Sequence, residues 1–522
     1  MANASIVQSF EAHVTTRLLD FFGSKTPWHR GLWNVGLVLT LREILEASEA
    51  VHAGVLTNAS LRNLLSSAMA LAGLDPAVGP GAQRELLQKS LRTDLTYKGA
   101  DFLIIKEIAQ DVQNHYLERW ANALANKAVP MRPERVARSI ACHLLDAGLS
   151  SDFLHRWWTR KIKTKGSNAL ISIITAAHSL LQENPRQYSV LVAFESMPEG
   201  KYGMPEHWVE NIKVSEWLHE HGFEVRNIRQ NGGLWLRLRA RDPASAVESA
   251  VEIVDRIAAR VSVGKNTRLK PVPWAWVDGQ KQRFQLRRRR RGVEVHALYR
   301  EDQLYSDQVT SIVDGAVELV APLVYGSPSA AVAGGWAAIE ALLSSPGESE
   351  RVSAADRMAC LVACSFPRAE LTVLSYELEN AGDPLSAQLH TCKDNRDRAI
   401  LVANAILSGQ PLNCPNPSDM AALARLRAIL GDAHRSLRDI ERHVSIAFRR
   451  LYRLRNLVLH WGKTEAVALR PGLRAAAPLV GAGMDRVAHA WFVAGITPLE
   501  LTARARVRLH SCEGASCVDL LI

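Results

Sequence analysis

The chain reads as mainly helical, with a small α+β segment set between two helical stretches, and three observations predict this. First, apolar residues recur every three or four positions through residues 18–22, 37–44, 102–112, 136–145 and 170–181, separated by breaks such as Gly79-Pro80-Gly81. Second, the pattern changes near residue 187 to short Val- and Leu-rich or alternating runs around Asn231-Gly232-Gly233, a hairpin signal. Third, helical spacing returns after residue 302 through 331–343, 354–378, 398–407, 420–430, 439–461 and 470–493. At 522 residues the chain exceeds one ordinary domain. The expected division is a helical domain over 1–186, an α+β sandwich over 187–300 and a helical bundle over 301–522.

The middle segment gives the most detailed expectation. Residues 188–194 alternate little, as a buried strand would, and 207–221 have helical spacing. Runs at 223–228 and 234–240 flank the glycine pair. Asp242-Pro243 opens a helix to about 261, and 271–277 returns as a strand. The order β-α-β-β-α-β predicts a ferredoxin-like sandwich. On its second hairpin strand Trp235, Arg237 and Arg239 alternate, an exposed face able to meet phosphate and base. Arg287, Arg288, Arg289, Arg290 and Arg291 form the densest charge in the chain, expected to be an exposed loop that binds nucleic acid. Arg156 to Lys165 mixes bases with Trp157 and Trp158, a run that could stack on and neutralise nucleic acid but reads more simply as a solvated helix face with its indoles turned inward.

Composition bounds the function. Apolar content of 47% with 22% charged residues supports large cores. Sixty-three basic against 53 acidic residues give +10, a balance that favours polyanionic partners. The start of the chain lacks a signal-peptide pattern, and the apolar region 312–343 is interrupted by Asp314, Glu318, Pro322, Pro328 and Glu340. No membrane association is expected, and the cytoplasm is the expected compartment. Seven scattered cysteines fit reduced thiols. Cys512, Cys517 and His510 lack a fourth ligand, so neither metal nor cofactor is expected. The sequence holds no glycine-rich loop ending in Lys-Ser or Lys-Thr and no Gly-x-Ser-x-Gly elbow. Nucleotide hydrolysis and serine hydrolase chemistry therefore lack their usual residues.

One constellation remains. Arg455, Asn456 and His460 interrupt a helix whose Ile440, Val444, Ala447, Phe448, Leu451, Leu454 and Val458 face a core, and Gly462 ends it. Asn456 and His460, four apart, share a face, whereas Arg455 lies about 140° round the helix from His460 and must reach it with its stem. An imidazole exchanges protons near neutral pH and could take one from a ribose 2′-hydroxyl or return one to a leaving 5′-oxygen. A guanidinium could neutralise the phosphorane between those steps, and an amide could orient the imidazole or contact phosphate. The spacing alone is common here: Arg138 to His143, Arg438 to His443 and Arg504 to His510 share it or nearly so. The first lies on an amphipathic helix, the second reads as a charged solvated stretch and the third as an edge strand.

Tyr452 to His460, Tyr-Arg-Leu-Arg-Asn-Leu-Val-Leu-His, resembles the signature of HEPN domains: Arg, a polar residue, then His, late in a helical bundle. Trp336 to Leu343 is similar to the opening helix of defence-type HEPN domains, with Glu340 at a polar position seen there. The resemblance spans roughly residues 320–495. It implies a metal-independent endoribonuclease of a phage-defence or toxin–antitoxin system that leaves 2′,3′-cyclic phosphate ends. It carries over Arg455, Asn456 and His460 as catalytic residues and Glu340 and Tyr452 as supporting ones. It also implies RNA (tRNA or mRNA) as substrate, a homodimer through the C-terminal bundle, and an antitoxin or phage-derived trigger as partner. The rival expectation is a non-catalytic dimerisation scaffold joined to a basic, nucleic-acid-binding α+β domain.

Overall fold

The protein is described by a computed structural model covering residues 9–126, 131–166, 169–196, 198, 203–224, 228–345, 347–348 and 352–512. It is mainly helical with one five-stranded antiparallel sheet. Two compact units divide the chain: one of residues 1–146, 158–178 and 291–522, the other of residues 147–157 and 179–290. The first and last helical stretches, expected as separate domains, thus fold into one unit.

In the helical unit, local signals set helix starts. Ser9, Thr57, Ser327, Asp394, Asn416 and Thr497 each accept a backbone N–H from the first turn of the helix they precede. The core helix Ser353–Asn380 packs against Asn395–Leu407, Ala433–Trp461, Leu469–Ala494 and Pro498–Ser511. Among the described residues it is the one helix long and apolar enough to cross a membrane, and two-thirds of that stretch is buried inside the unit. Pro498–Ser511 corrects the edge strand expected at Arg504 to His510. Thr497 caps it, Pro498 opens it, and Leu501, Ala505 and Leu509 are buried at four-residue spacing, so the Arg-x-Arg-x-Arg alternation is incidental to a helical face.

Beneath this packing runs an ionic core. Arg30, 6% exposed, donates to Glu370 at 2.7 Å and to Asp419 at 2.8 Å. Glu370 also accepts from Arg425 at 2.9 Å, and Arg425 donates to Glu134 at 2.9 Å, which in turn meets His13 and Arg17. The helices Phe10–Phe22, Pro133–Asp146, Ser353–Asn380 and Pro417–Gly431 are tied through these groups.

In the smaller unit, strands β1 (Arg186–Phe194), β2 (Trp208–Val209), β3 (Gly233–Ala240), β4 (Pro271–Val277) and β5 (Phe284–Gln285) line up as β2-β3-β1-β4-β5. The expected strand at 223–228 falls partly outside the described residues; the described neighbour of β3 on that side is β2, which precedes the helix Asn211–Glu220. A second difference bears on the sandwich. Val190, Val192 and Phe194 pack with Val247, Val251 and Val254 of the helix Pro243–Lys265, whereas Leu191 and Ala193 pack with Val214, Trp217 and Leu218 of Asn211–Glu220. The helices therefore cover opposite faces of the sheet, not the single face of a ferredoxin-like sandwich. Burial on both faces is why β1 lacks alternation. The Asp242 carboxylate caps Pro243–Lys265 in a capping box and accepts from Ser150 N and Oγ, each at 2.8 Å.

The ionic core predicts an acid-labile fold. Burial opposes ionisation of Glu370, yet the charges of Arg425, His29 and Arg30 prevail and hold its carboxyl at about 2. With an unfolded value near 4.3, its contribution is complete above that pH and is lost as pH falls toward about 2. Burial pushes His29 down to about 4, so between roughly 6.5 and 4 the unfolded chain binds the extra proton and folding weakens as pH falls. Urea-unfolding midpoints should therefore drop below pH ~6.5, and Glu370→Gln should lower stability at neutral pH while flattening the loss below about pH 4.5. A Glu370→Gln profile parallel to wild type throughout would contradict this.

Candidate functional site

The helix Ala433–Trp461 is capped by Asp432 and ends at Gly462, whose φ of 68° places it in the left-handed region that favours glycine. Its inner face carries Val444, Phe448, Leu451 and Leu454, but also two buried arginines. Arg450 and Arg453, 2% and 4% exposed, donate to the carboxylate of Glu43 at 2.8 and 3.0 Å. Burial would raise the Glu43 carboxyl, but the two guanidinium charges overcome it and hold it below its ordinary range. Glu43 belongs to the helix Leu37–His52, whose Glu46 and Glu49 lie three and six residues on. These reach Lys463 at 3.2 and 3.3 Å, just beyond the end of the motif helix, and Glu46 also accepts from Val467 N. One acidic stripe thus holds the last turns of the motif helix and the turn that follows.

Arg455, Asn456 and His460 come together at that end. Arg455 Nη1 donates to His460 Nε2 at 2.8 Å and to Asn456 Oδ1 at 3.1 Å. Accepting at Nε2 assigns the neutral imidazole its proton on Nδ1. Asn456 is buried, Arg455 half-buried and His460 exposed. His460 lies seven positions after Arg453 and so nearly on the same stripe. That stripe is buried at Arg453 and emerges into solvent by His460. The supporting residues connect through a side chain that sequence reasoning did not single out: Trp336, 1% exposed, donates from Nε1 to Glu340 at 2.9 Å and packs its ring 4.8 Å from that of Tyr452. Glu340 thus holds Trp336 on its own helix, and the Trp336 ring meets Tyr452, one turn before Arg455 and Asn456.

The other Arg-to-His pairs sit in different surroundings. His143 is buried and stacks on Tyr116 with ring centres 4.2 Å apart. His443, expected in solvent, is half-buried; its Nδ1 is 2.6 Å from Asp439 O, and burial pushes it down to about 4, leaving it neutral. His510 is exposed, with Nδ1 2.9 Å from Arg506 O on a surface helix.

The arginine run does not form one free patch. Arg288 pairs with Asp255, and Arg289 with Ser151 and Asp152. Arg291 belongs to the helical unit and donates to the carbonyls of Leu323 and Gly326 at 3.1 and 2.8 Å, at the C-terminal end of the helix Ile312–Tyr325. Arg287 and Arg290 are exposed. Trp158 is fully buried and Trp157 half-buried, as expected of inward indoles. On β3, Trp235, Arg237 and Arg239 are exposed, with the Arg237 guanidinium 5.8 Å from the Trp235 ring centre.

Glu43 and Glu46 were the residues that sequence reasoning missed, and Trp336 was named only within the resemblance at 336–343. Glu43, Glu46 and Glu49 recur every three positions within the helix Leu37–His52, an acidic stripe that could have been matched to Arg450 and Arg453. Comparison of the chain with protein-family models, with curated proteins and with solved structures finds no match.

Proposed function

We propose that the protein is a metal-independent endoribonuclease of the HEPN type, acting in the cytoplasm as a regulated effector of phage defence or of a toxin–antitoxin system. The observation that carries this reading is the Arg455 to His460 contact of 2.8 Å, with Asn456 on the same guanidinium, at the exposed end of a helix whose inner face is buried. Each group has the chemistry its role needs. In the proposed reaction a substrate phosphate draws Arg455 from His460, freeing Nε2. His460 takes the proton of the ribose 2′-hydroxyl as the 2′-oxygen bonds to phosphorus, and Arg455 neutralises the phosphorane charge. The bond from phosphorus to the 5′-oxygen then breaks, and the imidazolium returns a proton to that oxygen. The products are a 2′,3′-cyclic phosphate and a 5′-hydroxyl. In the composite cleft of a homodimer the two protons can be handled by two copies of His460. Asn456 holds Arg455 beside the imidazole until substrate binds, and Glu340 and Tyr452 brace the helix through Trp336.

A second reading rests on a different observation. The exposed Trp235, Arg237 and Arg239 offer a stacking ring beside two cations, the chemistry of a single-stranded nucleic-acid surface. Under it the chain binds nucleic acid without cutting, and the C-terminal bundle only dimerises.

Purified protein incubated with tRNA or bulk RNA in EDTA should yield 2′,3′-cyclic ends. His460→Ala should reduce the rate by about 10²–10⁴-fold with an unchanged melting temperature, because the side chain is exposed. Arg455→Lys should cost about 10²–10³-fold, since a point charge cannot replace the fork. If His460→Ala cleaves as wild type does, or no RNA is cut by inhibitor-free dimer, the nuclease reading fails. The scaffold reading then predicts retained RNA binding that weakens in Arg237→Glu/Arg239→Glu and falls steeply with salt.

A further inference from the structure

A concave site on the helical unit remains outside the chemistry above. Its volume is about 650 Å³, the size range of small-molecule pockets. Tyr97, Phe102, Leu45 and Leu103 supply an apolar and aromatic lining, and Arg42, Lys98 and Lys106 bring three cations to it. No carboxylate lines it. Among the described residues neither Lys98 nor Lys106 forms an ion pair; Lys98 lies 5.1 Å from the Tyr97 ring centre, and Arg42 meets only the neutral amide of Gln113. Like charges gathered round an apolar surface repel one another unless an anion joins them.

Two further features point the same way. Lys98 has a φ of 58°, a left-handed backbone unusual for a lysine, immediately before Gly99, which caps the 26-residue helix Ala100–Ala125. Phe102 and Leu103 lie in the first turn of that helix beside Asp101, which accepts from Thr93 Oγ1 at 3.0 Å, so the positive charge at the rim is that of the three side-chain cations. Leu103 leaves half its surface in water, an apolar exposure that a ring lying in the site would cover.

We infer that this cavity binds a small organic anion carrying a ring, of which a nucleoside monophosphate is the representative: the ring lies among Tyr97, Phe102 and Leu103, and the anionic group meets Arg42, Lys98 and Lys106. The site is independent of the ribonuclease reading. It shares with it only the helix Leu37–His52, which presents Arg42 and Leu45 to the cavity and Glu43 and Glu46 to the motif helix and the turn after it.

The test is direct binding by the full chain. N-methylanthraniloyl-AMP and 1-naphthyl phosphate are titrated by fluorescence anisotropy, with adenosine and inorganic phosphate as competitors. Saturable binding of either probe, with adenosine or phosphate alone at least about tenfold weaker, is expected, because ring and charge are both needed. Binding of the first probe with displacement by AMP identifies a nucleotide, and binding of the second alone identifies another ring-bearing anion. The exposed double variant Lys98→Glu/Lys106→Glu should weaken binding at least about tenfold at unchanged melting temperature. Tyr97→Ala should weaken both probes in a chain whose charges are intact. Failure of both probes to bind at millimolar concentration, or equal affinity of the double variant, overturns the inference.

Discussion

The carboxylate of Glu43 holds two guanidinium groups with almost no water around them, and the geometry at the end of the motif helix follows from that one arrangement. Arg450 and Arg453 are three positions apart on a helix and would repel each other in a dry environment. A single carboxylate accepting from both turns that repulsion into a fixed fork. Taking three charges out of water is costly, and the pairing largely serves to offset that cost, so a buried triad of this kind is weak evidence of stability. What the charges add is direction. They set the rotation of Ala433–Trp461 about its own axis and therefore decide where Arg455, Asn456 and His460 emerge.

The ionic core around Glu370 repeats the principle on a larger scale. Arg30 lies 340 and 389 positions from its partners Glu370 and Asp419, and Arg425 lies 291 from Glu134, yet they form one hydrogen-bonded chain inside the helical unit. Together with Glu43 they explain what the first helical stretch does: it supplies counter-charges to the last one. A fold closed through such long-range partners cannot be divided at residue 186 without leaving buried arginines unpaired.

Helix positions in the last third were legible because caps and apolar spacing are local: Pro417–Gly431 follows its Asn cap, and Leu469–Ala494 follows its alanine- and leucine-rich stripe. The trio was legible too, since Arg455 and Asn456 interrupt the apolar run from Leu454 to Leu459 and His460 ends it. The partners of buried charge were not, because Glu43 and Arg450 are linked by nothing nearer than four hundred positions. The sheet shows the same limit. Its central strand was recognisable from unbroken apolar character, but which face each helix covers depends on whether Leu191 or Val192 meets it, and only the assembled packing settles that. The alternation of Arg504, Arg506 and Arg508 misled for the converse reason: period two over three residues is too short to outweigh a capped helix with buried Leu501, Ala505 and Leu509.

An apolar stripe alone would place the motif helix loosely. Leucine and valine can exchange contacts as a helix turns by a few degrees, and the loss is spread over many weak dispersion contacts. A carboxylate accepting from two named guanidinium nitrogens tolerates less, because hydrogen bonds weaken steeply with angle and an unmade one leaves a buried charge. Rotation of the helix would break Glu43 from Arg450 or Arg453 before it disturbed Leu451 or Leu454. Arg455 has to span five residues along the surface to reach His460, so a small rotation there would part the two. The rigid ionic clamp one turn earlier is what allows a long, flexible arginine to meet an exposed histidine at hydrogen-bond distance.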